Sequence, residues 1–353
     1  TNQVVEGALA QVTALYEDVY TISDASAVLH GQESDEDGNI IYTVEASFKR
    51  TLKATDAMQI PAIQGMIRAK ESLIDAAEIQ AAEEYIAARV ADMNDNYIGV
   101  AQGTNVTLRV TLPAVMPLSV SAGQMVTSNV IEVECGIGEE EYGALETIAP
   151  RNAVMQIAAG RELVSEVAAA SHRVTSMNAK VPPHNLRIAQ YNRVMARDYA
   201  REWSCNKGIS TDHATCHNPE YRFFASKDCA NFVSQCFVAG GLEPLENDVW
   251  APYTTAWSTT GNEGYGLRQY VVGNDLFFKT ANVNKAFAGS IINQLNSDGS
   301  DAGHVGLIDQ NDFYTVTFCA HTNCRNQKPV SFMAYKNYYV PYYDSYGKTW
   351  VEP

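Results

Sequence analysis

A chain of 353 residues with 46% apolar and 19% charged side chains can build ordinary hydrophobic cores, and at this length two domains are expected. Its 41 acidic against 25 basic residues leave a formal charge of −16, which repels phosphate backbones and anionic lipid and so argues against nucleic-acid binding. No apolar run approaches the roughly 20 residues a membrane-crossing helix needs. The sequence starts at Thr1 without a basic-then-apolar leader, consistent with a secretory leader already removed or with a trimmed terminus.

Residues 1–20 set Val4, Val5, Ala8, Leu9, Val12, Leu15, Tyr16 and Val19 at helical spacing, which predicts an amphipathic helix. Segment 39–53 alternates instead, with Ile40, Tyr42, Val44, Ala46 and Phe48 on one face, and predicts a half-buried strand. The stretch 70–93 is rich in helix formers and free of Pro and Gly. Val106, Leu108, Val110 and Leu112 predict a second strand and 129–137 a third. Asn152 is placed to cap a further helix to about Ala170, although Gly160 in its middle weakens it. This half reads as α+β with no convincing chemical constellation; His30 and His172 stand alone. The pattern breaks at 176–187, where Pro182-Pro183 cannot lie inside a helix. The chain is therefore divided into an accessory α+β domain of unknown role (1–175), a linker (176–187) and a second domain (188–353), whose first helix starts near Tyr191.

The seven cysteines are too few for a disulfide scaffold, and their odd number leaves at least one thiol. Cys205 with Cys216, and Cys319 with Cys324, are near enough in sequence for local bridges. Cys205, His213, Cys216 and His217 are zinc-ligand types, but the close CxxC pairing of a strong zinc signature is missing.

Chemistry concentrates in the second domain. Asp228 is a good N-cap and Gly240-Gly241 a good stop, which frames a helix from Cys229. Its apolar stripe comprises Cys229, Phe232, Val233, Cys236 and Phe237. A thiol at a helix N-terminus is expected to titrate below its free value, and the same N–H groups suit an oxyanion. The bland alternative is a buried apolar thiol, the reading preferred for Cys236.

His304 opens the short apolar strand Ala302-Gly303-His304-Val305-Gly306-Leu307-Ile308, and a second strand runs from Phe313 to His321. A two-residue Asn311-Asp312 turn between them would set His304 opposite Cys319 and His321 diagonally on the same face, about 7 Å away at Cβ. His321 would then orient His304 as the third member of a triad. Asp309 is rejected for that role because five strand residues span roughly 16 Å and end on the opposite face.

The run DCANFVSQCFVAGG with GHVGLI and AHTNCRN, preceded by YNRVMARDYA and NPEYRFF, resembles the putative amidase domain of secreted Gram-positive bacterial proteins, over about residues 188–345. That family looks like part of the NlpC-like and CHAP superfamily of papain-like cysteine hydrolases. The resemblance implies a Cys-bearing helix packed on an antiparallel sheet, with Cys229 as nucleophile, His304 as general base and His321 as the polar third member. It also implies Tyr221 as an oxyanion candidate and matches Asp228, the residue before the nucleophile. Ala288-Gly289-Ser290 departs from the Gly-Asp that such domains often carry.

Trp250 and Trp257, in a loop after the catalytic helix, are candidates to line the substrate cleft or to pack. The polar loop 296–301 has calcium-like oxygen ligands but lacks a closing Glu, so a solvated turn is the plainer reading. The expected activity is cysteine-dependent hydrolysis of an amide bond in a peptide or peptidoglycan through an acyl-enzyme, needing no metal or organic cofactor, in a secreted or cell-envelope protein. The same site with an amine acceptor would be a transpeptidase or transamidase. A non-catalytic cell-wall binding module is the third reading.

Overall fold

A computed structural model of the chain describes residues 2–113, 127–133, 140–176, 191–205, 216–224, 228–242, 266–273, 276–295, 301–321, 325–330 and 336–341. Helix α1 (Asn2–Ala14) buries Val4, Ala8 and Val12 at four-residue spacing. It stops earlier than its periodicity predicts. Tyr20 opens strand β1 (Tyr20–Ser34), which the sequence does not announce because most of its side chains are exposed. Strand β2 (Ile40–Leu52) keeps the predicted alternation, with Tyr42, Val44, Ala46 and Phe48 buried. With β3 (Gln102–Leu112), β4 (Thr127–Val133) and β5 (Glu140–Ala144) these form an antiparallel five-stranded sheet in chain order.

Three helices follow β2 and β5. Helix α2 (Pro61–Lys70) starts on a proline, whose missing N–H costs nothing at the first helical position. Helix α3 (Ala76–Asn96) is capped by Asp75, whose carboxylate accepts from the amides of Ala77 and Glu78. Helix α4 (Ala153–Ser176) is capped by Asn152, whose side-chain oxygen accepts from the Met155 amide at 3.0 Å. Gly160 has a packing reason. A Cβ there would lie 2.0 Å from the Ala62 carbonyl oxygen of α2, and one on Gly65 would lie 2.3 Å from the Ile157 oxygen of α4. Two glycines therefore allow these helices to touch backbone to backbone. Gly160→Ala is expected to lower stability by about 1–3 kcal/mol despite the gain in helix propensity, read as a lower urea midpoint at unchanged slope.

The C-terminal elements are α5 (Arg193–Glu202), α6 (Cys229–Ala239), α7 (Leu267–Gly273), β6 (Phe277–Thr280), β7 (Ile291–Leu295), β8 (Asp301–Asn311), β9 (Val316–Ala320), β10 (Arg325–Pro329) and β11 (Lys336–Pro341). The strands form a second antiparallel sheet in the order β10-β9-β8-β7-β11-β6. The fold is thus α+β, with two antiparallel sheets. One face of the second sheet carries Ile291, Val305, Leu307 and Cys319 against α6. Its other face sends Ile292, Ile308 and Val316 into the same apolar cluster as Val44, Ile63 and Leu108 of the first half.

Buried polar contacts also join the two halves. Arg50 on β2 pairs with Asp312 at 2.8 Å, both side chains fully enclosed, and Tyr20 donates its hydroxyl to the same carboxylate at 2.9 Å. Asp92 on α3 pairs with Arg193 at the start of α5. Arg201 reaches both Asp309 and, at 2.7 Å, the Gln102 side chain. Of the expected linker, only Ser176 is among the described residues.

Candidate active site

Helix α6 is buried from Cys229 through Phe237 on every side, not only along its predicted apolar stripe. Its polar residues are accommodated one by one. Asn231 donates to the Arg222 carbonyl at 2.8 Å and to Asp228 Oδ1 at 2.7 Å, Ser234 donates to the Ala230 carbonyl, and Gln235 accepts from the Tyr199 hydroxyl at 2.8 Å. Cys229 is the first helical residue, as the sequence predicts. The predicted drop in its titration is overturned: burial pushes the thiol up, outweighing the amides of Val305 and Ala230, which act on the sulfur to favour the thiolate. At rest the nucleophile candidate is a neutral thiol.

The amide of Val305 is the backbone group immediately after His304, so β8 brings His304 to the segment that touches the Cys229 sulfur. The β7–β8 register is regular from Ile291↔Leu307 to Asn293↔Val305 and then shifts before Leu295↔Asp301. His304 lies in that irregularity, where strict in–out alternation no longer sets its direction. Its ring is nearly buried and its Nδ1 has no hydrogen-bond partner. Burial first, and then the charges of Arg325 and Lys328, hold it down to about 3, so it is a neutral imidazole. A buried imidazole nitrogen with its lone pair unclaimed is a proton acceptor in waiting.

His321 departs from its expected place. The turn after β8 is wider than two residues: Asp312 Oδ1 accepts from the amides of Tyr314 and Thr315, and Phe313 has φ 69°. The strand register shifts as well, so Leu307, not His304, faces Cys319. His321 accordingly turns to other partners. Its Nδ1 lies 2.6 Å from Asp228 Oδ2 and its Nε2 lies 2.6 Å from the Trp203 carbonyl oxygen, while its ring stacks on Phe232 at 4.1 Å. Both nitrogens are thus engaged away from His304. Asp228 occupies the N-cap position without capping through its side chain; Oδ1 accepts instead from the Phe224 amide and from Asn231.

Tyr221 is half-buried on segment 216–224, its amide donating to the Asn218 carbonyl. This segment is anchored by the Cys205–Cys216 disulfide, which removes both sulfurs from the zinc reading. Cys319 is a buried thiol, so the Cys319–Cys324 bridge is not formed; its sulfur accepts from the Gln327 amide. Among the described residues no cluster of acidic, Cys and His side chains forms a metal site. Trp250, Trp257 and the loop 296–300 lie outside the described residues. Asp309 pairs with Arg201 and accepts from Thr317, in keeping with its rejection as an orienter. The sequence reading passed over Asn293, a fully enclosed amide opposite Val305 whose Oδ1 is unpartnered. A lone Asn after Ile291-Ile292 in a buried strand was the available signal.

A stretch of 55 residues, 16% of the chain, is 38% identical to the uncharacterized protein YjcM of Bacillus subtilis (strain 168) and spans 12% of that protein. No solved structure matches. Residues 190–343, which hold α5, α6 and the whole second sheet, match the family described as "Putative amidase domain", and that match points to amide hydrolysis as the class of activity.

Proposed function

We propose that the chain cleaves an amide bond with Cys229 as nucleophile and His304 as general base, in the manner of the papain-like cysteine hydrolases. The observation that carries this reading is the placement of the first thiol of α6 against the backbone amide that follows His304. Thiol and imidazole both start neutral, so the S–H proton passes to His304 as sulfur attacks the substrate carbonyl. In this reading the helix-start amides of Cys229 and Ala230, which in the resting site act on the sulfur, receive the developing oxyanion at the positive end of the helix dipole. The C–N bond then breaks, the amine leaves with the proton from His304, and water releases the acyl group by the same exchange.

A peptide or the peptide part of peptidoglycan is the substrate class we favour, since the chain's negative charge suits substrates bearing free amines. A peptidoglycan substrate would place the protein in the cell envelope. The test is incubation with cell-wall muropeptides and model peptides, with new amines and carboxylates read by mass spectrometry. Cys229→Ala is expected to reduce cleavage at least a thousandfold while leaving the thermal midpoint within a few degrees. Cleavage that survives the substitution would remove the thiol from the mechanism.

A further inference from the structure

The proton inventory around His321 is constrained by its partners. A carbonyl oxygen can only accept, so the nitrogen facing Trp203 carries a hydrogen. The other nitrogen meets a carboxylate oxygen at 2.6 Å, a separation that also requires a hydrogen between them. Asp228 Oδ1 also accepts from the Phe224 amide at 3.1 Å and from the Asn231 side chain at 2.7 Å. Phe232 stacks its face against the imidazole at 4.1 Å, and an aromatic face stabilises a cation. These three partners, the Trp203 carbonyl, Asp228 and the Phe232 face, fit an imidazolium.

We propose that His321 is the permanent counter-ion of Asp228, a positioning residue that cancels the negative charge next to Cys229 so that the thiolate can form during attack. This role rests on Cys229 being the nucleophile, but it differs from orienting His304. The physical need is direct. A bare carboxylate on the residue preceding the thiol opposes its ionisation, and Asp228 does raise Cys229. Yet Asp228 ties the start of α6 to segment 216–224, so removing the acid would loosen the helix. Pairing it with an imidazolium keeps the tether and offsets the charge. Among the described residues, other charged or titratable groups around this pair include His304 with Arg325 and Lys328 acting on it, the thiols of Cys236 and Cys319, Arg222, whose carbonyl accepts from Asn231, and His217, whose ring stacks on Phe223 at 4.9 Å.

The experiment is the pH profile of Cys229 alkylation by iodoacetamide, read by peptide mapping, in the wild type, His321→Gln, Asp228→Asn and the double variant. It needs no substrate, so it stands apart from the hydrolysis assay: retained cleavage by Cys229→Ala defeats the nucleophile, whereas the profiles test the counter-ion. His321→Gln is expected to raise the alkylation midpoint by about one pH unit, slowing modification at pH 7 about tenfold. Asp228→Asn is expected to keep the wild-type midpoint, and the double variant to return to it. A packing role for His321 predicts no such rescue. An unshifted His321→Gln profile, or a double variant as slow as His321→Gln, overturns the proposal. Should His321→Gln fail to fold, nitrogen NMR of histidine-labelled wild type decides, with His321 assigned through its contact with Phe232. Two protonated ring nitrogens at pH 7.5 support the counter-ion, and a neutral ring refutes it.

Discussion

His304→Asn is expected to remove about 3 kcal/mol of stability loss that the wild type suffers between pH 7 and pH 4. The His304 imidazole is held at about 3 against an ordinary 6.5. Between those values the unfolded chain binds a proton that the folded chain refuses. Stability from this group is therefore complete above about pH 6.5 and falls as the pH drops toward 3, the opposite sense to a histidine gaining an acidic partner. The cause is structural: the ring is enclosed, its Nδ1 is unpartnered, and Arg325 and Lys328 are the charges that act on it. Urea unfolding of both proteins at pH 7 and pH 4 measures the effect. The constant cost of placing an amide in the cavity cancels when each protein is compared with itself. An equal loss in wild type and variant would show that His304 is not held neutral. The same substitution is expected to lower amide cleavage by about 10²–10⁴, the usual share of a general base.

Asp312→Asn is expected to destabilise the protein by about 3–5 kcal/mol, because it leaves the enclosed Arg50 guanidinium without its counter-charge. Asparagine keeps an oxygen for the amides of Tyr314 and Thr315, so the turn is spared and the change falls on the Oδ2 side, where Arg50 and the Tyr20 hydroxyl bind. Arg50 holds Thr104 through its Nε and lies over the Tyr20 ring at 4.7 Å, so the lost charge is felt on β1, β2 and β3. Asp312 itself sits at the end of the hairpin that carries His304. The two halves also share one apolar cluster, and unfolding should accordingly proceed in a single transition that exposes protease sites in both. A loss below 1 kcal/mol, or separate transitions for the two halves, would refute this account of the joint.

Local chemistry was legible wherever a short stretch of chain decides it. The period-two run from Ile40 to Phe48, the side-chain cap at Asn152 and the start of α6 at Cys229 all depend on neighbours within a turn or a strand. Strand β1 escaped because its faces are too exposed to alternate, and α2 because ten residues between a proline and a loop carry little periodicity. The position of His321 escaped for another reason. A bulge and a wider turn, each a matter of one or two residues, shift the pairing of β8 with β9, and any such shift re-aims every later side chain.

By itself the sequence determined the α+β class, the thiol at a helix start and a histidine at the start of a strand, because periodicity and capping are properties of adjacent residues. Only the tertiary structure decided that His321 belongs to Asp228, that Cys229 and His304 are both neutral at rest, and that Arg50 meets Asp312 across 262 positions of chain. Those outcomes follow from desolvation and from which distant groups burial brings together, and neither quantity exists until the core has closed.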